Sequence, residues 1–150
     1  MRFWLCMAAV LLLDQWSKWM VAVKIAPGQS VEVWPGVMWF THVFNRGAAF
    51  SIMQGQTIYF MAAAVVVVVA LMAYNLFAKP QPLLQLITGM MAGGAAGNLL
   101  DRYRQGHVVD FIDFRFWPVF NVADIAIVMG GILLVAYFIW LDKDGQSNER

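Results

Sequence analysis

Two aspartates, Asp110 and Asp124, are the residues of this sequence best suited to do chemistry. They stand fourteen positions apart in a chain that is 61% hydrophobic and only 13% charged. A carboxylate at the edge of an apolar span is costly, so its presence needs a reason. Two carboxylates that converge on one face of a membrane can divide acid and base roles, because one accepts a proton while the other carries one.

The residues around these aspartates predict a different environment for each. Asn121 is a suitable N-cap, which places Asp124 in the first turn of a helix, where the helix dipole favours the charged form. Asp110 has apolar neighbours on both sides, and desolvation there favours the neutral form. Asp113 points to the opposite face of an extended segment and is expected to be solvated in a loop. If Asp110 and Asp124 lie close together, they share a proton and titrate as a unit.

The composition excludes several other classes of function. About a quarter of the residues in a soluble domain are charged, so this chain is predicted to be a membrane protein. A net charge of +1 gives no reason to expect nucleic acid. The single cysteine, Cys6, rules out an internal disulfide, and His42 and His107 lack neighbours at zinc-ligand spacing. Both histidines are expected in loops or interfaces, and no serine has the context of a hydrolase nucleophile.

Four apolar segments, 3–23, 58–77, 83–100 and 122–141, are predicted to span a membrane and to position these aspartates. About twenty helical residues reach roughly 30 Å, the thickness of the hydrocarbon core. The first segment resembles a cleaved signal peptide up to residue 13, but its apolar pattern resumes after Asp14 and Lys18. Those two residues share a helix face at i and i+4, so we interpret the segment as a retained span.

Four spans put both termini on one side and the connections 24–57 and 101–121 on the other. Basic residues number four on the terminal side and five on the loop side, so their distribution leaves the orientation open. The stretch 31–44 around Pro35 and Gly36 predicts a strand, a turn and a strand. Trp34, Trp39 and Trp117 suit the lipid headgroup zone. The expected fold is an all-α polytopic membrane protein, one domain over residues 1–150, with four transmembrane helices and a small β element in the first long loop.

Small and polar residues of the third span form two further patterns. Gly89, Gly93 and Gly97 recur at every fourth position, which is typical of close helix packing and brings Asn98 to the end of a packed helix. Asp101 and Arg102 follow. They either form a local salt bridge of little energetic meaning or leave Arg102 free to hold a substrate carbonyl or an anionic group.

Two other groups also admit a structural and a functional interpretation. Asn45 and Gly47 commonly just shape a turn, but Asn45 can instead present its amide to a peptide backbone. Asp14 and Lys18 form either a neutral pair that fixes helix register or part of a proton relay, and we favour the structural or supporting role.

Taken together, these motifs resemble the bacterial lipoprotein signal peptidase family, signal peptidase II. The motifs occur in the family's order, between four spans, and cover essentially the whole chain. They are Asp14-Gln15-x-x-Lys18, Asn45-Arg46-Gly47-Ala48-Ala49-Phe50-Ser51, Gly97-Asn98-x-x-Asp101-Arg102, Val109-Asp110-Phe111 and Asn121-Val122-Ala123-Asp124.

The resemblance implies an inner-membrane aspartic peptidase that removes signal peptides from prolipoproteins by cutting before a diacylglyceryl-modified cysteine. It implies that Asp110 and Asp124 are catalytic, that the termini are cytoplasmic, and that the active site is near the periplasmic face. The residues implied to bind substrate or support the site are Asn45, Arg46, Gly47, Asn98, Arg102, Asn121, Asp14 and Lys18. No metal or other cofactor is implied. The expected partners are lipid-modified prolipoproteins and membrane lipids, and the chain is expected to act as a monomer.

Two other functions compete with a peptidase. A small proton- or cation-coupled transporter would use Asp14, Asp110 and Asp124 as relay sites, and its acids should be spread through the depth of the bundle. A non-catalytic assembly subunit would use the glycine ridge and the aromatic belts, but it would leave the acid pair unexplained. The lack of a visible nucleophile–base pair favours hydrolysis by an activated water, without a covalent intermediate.

Overall fold

The protein folds into four long helices and one small sheet. The computed structural model describes the backbone of residues 1–47 and 57–147, with side chains through residue 140. The helices are α1 (Arg2–Lys24), α2 (Thr57–Phe77), α3 (Pro82–Gln105) and α4 (Val122–Ser147), and the strands are β1 (Ser30–Trp34), β2 (Met38–Asn45) and β3 (Val108–Asp113).

All four helices are long and apolar enough to cross a membrane, so the four predicted spans are confirmed as helices. Many of their large apolar side chains are exposed, including Val66 of α2 and Leu133 of α4, as expected for helices that face lipid. The third helix is longer than predicted, because it continues past residue 100 and ends only at Gly106, which adopts the left-handed conformation at φ 73°. In this extra turn Asp101 is buried and Arg102 is half-buried, whereas Tyr103, Arg104 and Gln105 are exposed.

Helix α3 is the centre of the bundle and packs against each of the other three helices. Its glycines make this possible, as their spacing predicts. A Cβ atom on Gly89 or Gly93 would stand 2.6 Å from the carbonyl oxygen of Phe3 or Met7, both in α1. On the other side, a Cβ on Gly94 would stand 2.5 Å from the carbonyl oxygen of Ala123 in α4. The backbones of α1 and α4 therefore approach α3 at distances that only glycine permits.

The three strands form one antiparallel sheet in the order β1-β2-β3. The predicted strand–turn–strand in the first long connection is confirmed as the β1–β2 hairpin, which turns at Gly36 with φ 68°. The sheet also includes a strand from outside this connection, because β3 comes from the second long connection. Strand β3 pairs with β2 so that Asp110 lies opposite Val43 and Val108 lies opposite Asn45.

The sheet packs against one end of the helical bundle through a small apolar cluster. Val21 and Ile25 at the end of α1 contact Phe111 of β3. After β3 the chain folds back along the strand, and the backbones of Ile112 and Phe120 exchange hydrogen bonds of 2.8 and 3.1 Å. This return brings the start of α4 beside Asp110.

Candidate functional site

Strand β3 places the Asp110 side chain at the boundary between the sheet and the bundle. Asp110 is 2% exposed, and both of its carboxylate oxygens accept hydrogen bonds from amides. Asn45 Nδ2 donates to Oδ2 at 2.8 Å, and Asn121 Nδ2 donates to Oδ1 at 2.6 Å. Asn45 lies on the adjacent strand, so the sheet register holds the first of these bonds in place.

The start of α4 places the second aspartate. Asn121 is the N-cap, as its sequence position predicts, and its Oδ1 accepts a hydrogen bond of 2.9 Å from the backbone N–H of Asp124. In return, the Asp124 carboxylate accepts from the backbone N–H of Asn121 at 3.2 Å. This reciprocal arrangement is a capping box, and it fixes the Asp124 side chain against the positive end of the helix dipole.

Two amides connect the aspartates to each other. Asn121 Nδ2 bonds both to Asp110 and to the amide oxygen of Asn98, the latter at 3.2 Å. Asn98 Nδ2 in turn donates to Asp124 Oδ1 at 2.8 Å. The chain Asp110–Asn121–Asn98–Asp124 therefore links β3, α3 and α4 through side chains alone.

A buried charge cluster lies behind these amides. The Lys18 ammonium is 2.8 Å from the carboxylates of Asp14 and Asp101 and 2.9 Å from the amide oxygen of Asn98. Gln15 adds a hydrogen bond of 2.8 Å to Asp101. Every charge in the cluster has an opposite charge as its partner, which is the condition under which buried charges are tolerated.

Asp14 also connects the first helix to the fourth. Its Oδ1 accepts a hydrogen bond of 2.9 Å from the backbone N–H of Ala123, and the side chain is fully buried. This N–H is one of the unpaired donors in the first turn of α4. Asp14 therefore holds the helix start that carries Asp124, and Gly97 makes room for its carboxylate.

Both aspartates line one cavity of about 570 Å³. Its polar wall consists of the two aspartates with Asn45, Asn98 and Arg102. The rest of the lining is apolar and comes from β3, the loop before α4 and α4 itself, with residues Val108, Trp117, Pro118, Val119, Phe120, Ile125, Ile127, Val128 and Met129. An elongated molecule with polar and apolar parts fits such a site.

Arg102 joins the site to the segment that follows β2. Its guanidinium donates a hydrogen bond of 2.9 Å to the carbonyl of Gly47 and lies 5.5 Å from the centre of the Phe60 ring. The ion pairs found among the described residues do not include one between Arg102 and Asp101, since Asp101 is paired with Lys18. Of the two interpretations of the Asp101–Arg102 sequence, the local salt bridge is therefore not the one observed.

The other residues of the Asn45 motif contribute backbone atoms. The Gly47 N–H donates to Asn45 Oδ1 at 2.9 Å, which orients the amide that bonds to Asp110. The Arg46 side chain is exposed, and its carbonyl accepts a bond of 3.4 Å from Thr57. The remainder of the motif, residues 48–51, lies outside the described residues.

The structure corrects two sequence-based expectations. Asp113 is not solvated in a loop but is 5% exposed, because it accepts a 2.6 Å hydrogen bond from Thr41 and pairs with Arg115. It does face away from the Asp110 contacts, as the alternation of a strand predicts. His42 is a buried strand residue, and its Nδ1 is 2.7 Å from the carbonyl oxygen of Ile25.

Sequence reasoning missed the role of Gln15 and Asp101 in the charge cluster. A signal for Asp101 was present, because it lies three positions after Asn98 and therefore on the same face of α3. No comparable local signal marks the loop residues that form the apolar wall. They reach the cavity only because the chain folds back along β3.

Burial changes the protonation of Asp110. Desolvation, together with the nearby charge of Asp124, raises the pKa of the Asp110 carboxyl from 3.8 to about 7. The hydrogen bonds from Asn45 and Asn121 lower it and offset only part of this effect. Near neutral pH the Asp110 carboxyl can therefore carry a proton, beside an Asp124 carboxyl that accepts hydrogen bonds from the Asn98 amide and the Asn121 backbone N–H.

This pKa makes a prediction about stability. Because the folded-state pKa of Asp110 is raised, its contribution to stability is complete below about pH 4 and is lost as the pH rises from about 4 to 7. Asparagine does not ionise, so Asp110→Asn should gain stability relative to the wild type across that window. Thermal unfolding in detergent micelles between pH 4 and pH 8 measures this difference. Parallel pH curves for the two proteins would show that Asp110 is not desolvated in the folded state.

Chemically, the site combines a proton donor, a proton acceptor and several fixed amides beside a cavity at the end of the helical bundle. This set is suited to activating a water molecule and stabilising the oxygen of a carbonyl. Among the residues that the structure describes, no group of three or more His, Cys, Asp or Glu side chains is arranged to hold a metal ion.

Comparison with known proteins identifies what this chain is similar to. The family model described as signal peptidase (SPase) II matches residues 6–140. The lipoprotein signal peptidase of Syntrophomonas wolfei is 47% identical over 150 residues, which cover 100% of this chain and 99% of that protein. The lipoprotein signal peptidase of Halothermothrix orenii is 43% identical over 136 residues, 91% of this chain and 94% of that protein.

Solved structures show the same architecture. One bacterial membrane enzyme, determined by the in meso method at 2.3 Å resolution, superposes with a TM-score of 0.84 at 33% identity and covers 97% of this chain and 90% of its own. A second, determined at 1.9 Å resolution, gives a TM-score of 0.80 at 32% identity over 89% of this chain and 90% of its own.

Proposed function

This chain belongs to the signal peptidase II family, and we propose that it is an aspartic endopeptidase that removes signal peptides from diacylglyceryl-modified prolipoproteins. Membership in the family, with four helices able to span a membrane, makes it a multi-pass membrane peptidase that processes lipoproteins. The aspartic mechanism is carried by one observation. Asp110 and Asp124, from different elements, line one cavity and are linked through two buried amides.

The proposed reaction uses a water molecule between the two carboxyl groups. Asp124 accepts a proton from this water as its oxygen attacks the scissile carbonyl, and the proton on Asp110 stabilises the oxygen of the tetrahedral intermediate. When the C–N bond breaks, Asp124 gives its proton to the leaving amine, and Asp110 recovers its own. The raised pKa of Asp110 supports its starting protonated, and the capping position of Asp124 supports its starting charged.

The remaining polar residues have supporting roles in this proposal. Asn45 and Asn121 hold the Asp110 carboxyl, and Asn98 holds that of Asp124. Arg102 lines the cavity and anchors the Gly47 carbonyl, so it is placed to orient an extended peptide. Asp14, Lys18, Arg46 and Gly47 do not line the cavity and act behind the residues that do.

A second, smaller groove beside the main cavity can accommodate the apolar parts of the substrate. A groove of about 210 Å³ shares Asn98 and Arg102 with the main cavity and extends between α2, α3 and α4. Its other lining residues are Ala63, Ala64, Val67, Met91, Ala95 and Ile127, all of them apolar. We propose that a lipid-modified peptide enters sideways from the bilayer along this face, with its cleavage point at the aspartates.

The distribution of acids favours a peptidase over a transporter. A relay should carry acidic side chains through the depth of the bundle, yet α2 has no Asp or Glu and the apolar part of α4 has only Asp124. The remaining buried acids of the described residues gather at the end of the bundle that adjoins the sheet. A purely structural subunit gives no reason for two carboxylates in one cavity.

Cleavage of a lipid-modified prolipoprotein by the purified protein tests the proposed function. With a diacylglyceryl-modified substrate in detergent and EDTA present throughout, mass spectrometry should find a mature product that begins at the modified cysteine. The matched control is the same prolipoprotein without the diacylglyceryl group, which should stay uncut. Cleavage of both substrates would remove lipid recognition from the proposal, and loss of activity in EDTA would point to a metal.

A further inference from the structure

Lys18 is a buried lysine that lies behind the proposed catalytic pair and contacts neither aspartate of the pair by a hydrogen bond in the described structure. The residue is only 4% exposed, and its ammonium has three acceptors, Asp14, Asp101 and Asn98, at 2.8, 2.8 and 2.9 Å. An ammonium has three protons to donate, so this arrangement uses all of them. Two of the three bonds neutralise carboxylates. The third goes to a neutral amide and calls for a different explanation.

The hydrogen bond from Lys18 fixes the orientation of the Asn98 side-chain amide. An ammonium only donates, so the atom of Asn98 that faces it must be the oxygen. The amide nitrogen is then directed to the other side, where Nδ2 donates to Asp124 Oδ1 at 2.8 Å. With the amide reversed, an NH₂ group would face the ammonium and an oxygen would face the carboxylate, and both contacts would be repulsive. The ammonium of Lys18, the nearer of the two donors to this oxygen, therefore directs the Asn98 donor to Asp124.

We propose that Lys18 is a positioning residue that holds the Asp124 carboxylate in its reactive geometry through the Asn98 amide. This inference rests on the proposed function, because it assigns Asp124 to the reaction. Asn121 supplies a second donor to the Asn98 oxygen, but at the longer distance of 3.2 Å. Loss of Lys18 should therefore loosen the amide and leave a residual activity.

The alternative is that Lys18 only pairs the charges of Asp14 and Asp101 and so holds α1 against α3. Substituting Lys18 alone would leave both carboxylates without a counter-charge and would confuse the two roles. The double variant Lys18→Gln/Asp101→Asn removes one charge of each sign, so only Asp14 loses its counter-charge, and Asp14 still accepts from the Ala123 N–H. Glutamine carries both a donor and an acceptor and no charge, so it no longer dictates which atom of Asn98 faces it. The single variant Asp101→Asn is the matched control, because Lys18 can still donate to Asn98.

In the prolipoprotein assay we expect the double variant to lose about 10- to 100-fold in kcat, which is the range for one hydrogen bond to a charged group. KM should not change, because Lys18 does not line the cavity. The control Asp101→Asn should cleave at nearly the wild-type rate. If the wild type and the control both cleave the substrate, the proposed function stands whatever the double variant does. If the wild type is inactive, the proposed function is wrong, although the fold is unaffected.

A variant that already lacks the Asn98 amide distinguishes a positioning role of Lys18 from a purely structural one. With Asn98→Ala already present, adding Lys18→Gln/Asp101→Asn should lower kcat no further, because the connection is already broken. A full additional loss would overturn the proposal, as would a double variant whose only change is a lower unfolding temperature.

If the double variant does not fold, Asn98→Leu decides the question with the Lys18, Asp14 and Asp101 charges intact. Leucine has nearly the shape of asparagine but neither accepts from Lys18 nor donates to Asp124, so we expect the same loss in kcat as for Asn98→Ala. Wild-type activity in Asn98→Leu would show that Asn98 does not hold the Asp124 carboxylate, and the proposal would fail.

Discussion

Replacing either Asp110 or Asp124 by asparagine should lower the rate of prolipoprotein cleavage by about 10²- to 10⁴-fold, the contribution typical of a positioned acid or base. Asparagine preserves the size and planarity of the side chain, so the cavity should keep its shape. An amide neither accepts a proton from water nor returns one to the leaving amine, so both substitutions act on the chemical step. Initial rates with the diacylglyceryl-modified substrate measure the loss.

Asp113→Asn is the matched control for these variants. Asp113 is also a buried aspartate of β3, but its hydrogen bond to Thr41 keeps it outside the cavity. It should retain nearly wild-type activity. Because we propose that Asp110 and Asp124 act as a unit, the double variant Asp110→Asn/Asp124→Asn should be no slower than the slower single variant. Substantial activity in either single variant, with folding confirmed by thermal unfolding, would refute the assignment of the pair.

The second large effect on stability and activity is expected from adding a single methyl group to α3 at Gly94. In Gly94→Ala the new Cβ would stand 2.5 Å from the carbonyl oxygen of Ala123 and 3.0 Å from Cγ1 of Ile127. Backbone cannot give way as a flexible side chain can, so α4 must move outward. Overpacking of this kind costs about 1–3 kcal/mol. The displaced α4 carries Asp124, and a misplacement of about 1 Å lowers activity by about 10²-fold.

Gly131→Ala provides the comparison, because a Cβ there meets no atom within 4 Å. Alanine is the better helix former by about 1 kcal/mol, so this variant should be equally stable or slightly more stable, with unchanged activity. Unfolding temperature and cleavage rate, measured in the same detergent, test both variants. Equal behaviour of the two would mean that the close approach of α3 and α4 does not position the site.

The contacts of the basic residues help to decide the orientation of the protein in the membrane, which their number alone leaves open. Five basic residues lie on the loop side and four on the terminal side. Two of the five are engaged in contacts within the protein, since Arg102 bonds to Gly47 and the half-exposed Arg115 pairs with Asp113 and lies 4.7 Å from the Trp39 ring. Without these two, the basic residues favour the terminal side by four to three. This supports the proposal that the termini are cytoplasmic and that the site faces the periplasm of a bacterial inner membrane.

The sequence by itself determined the elements of this protein and the family. Length and hydropathy are properties of consecutive residues, so they predict four helices that can span a membrane. The cap at Asn121 and the turn at Gly36 also depend only on local backbone conformation. The order of the motifs along the chain was sufficient to predict the signal peptidase II family, which the comparisons confirm.

Only the tertiary structure decided which side chains become partners. The bond from Ala123 to Asp14 joins residues 109 positions apart, and that from Lys18 to Asn98 joins residues 80 apart. Such pairs depend on how each helix is rotated and on how closely the glycines of α3 let its neighbours approach. Periodicity indicates which face of a helix is polar but not which side chain that face will meet. The sequence therefore predicts the two aspartates as a pair, and the packing of α1, α3 and α4 determines how each carboxylate is held.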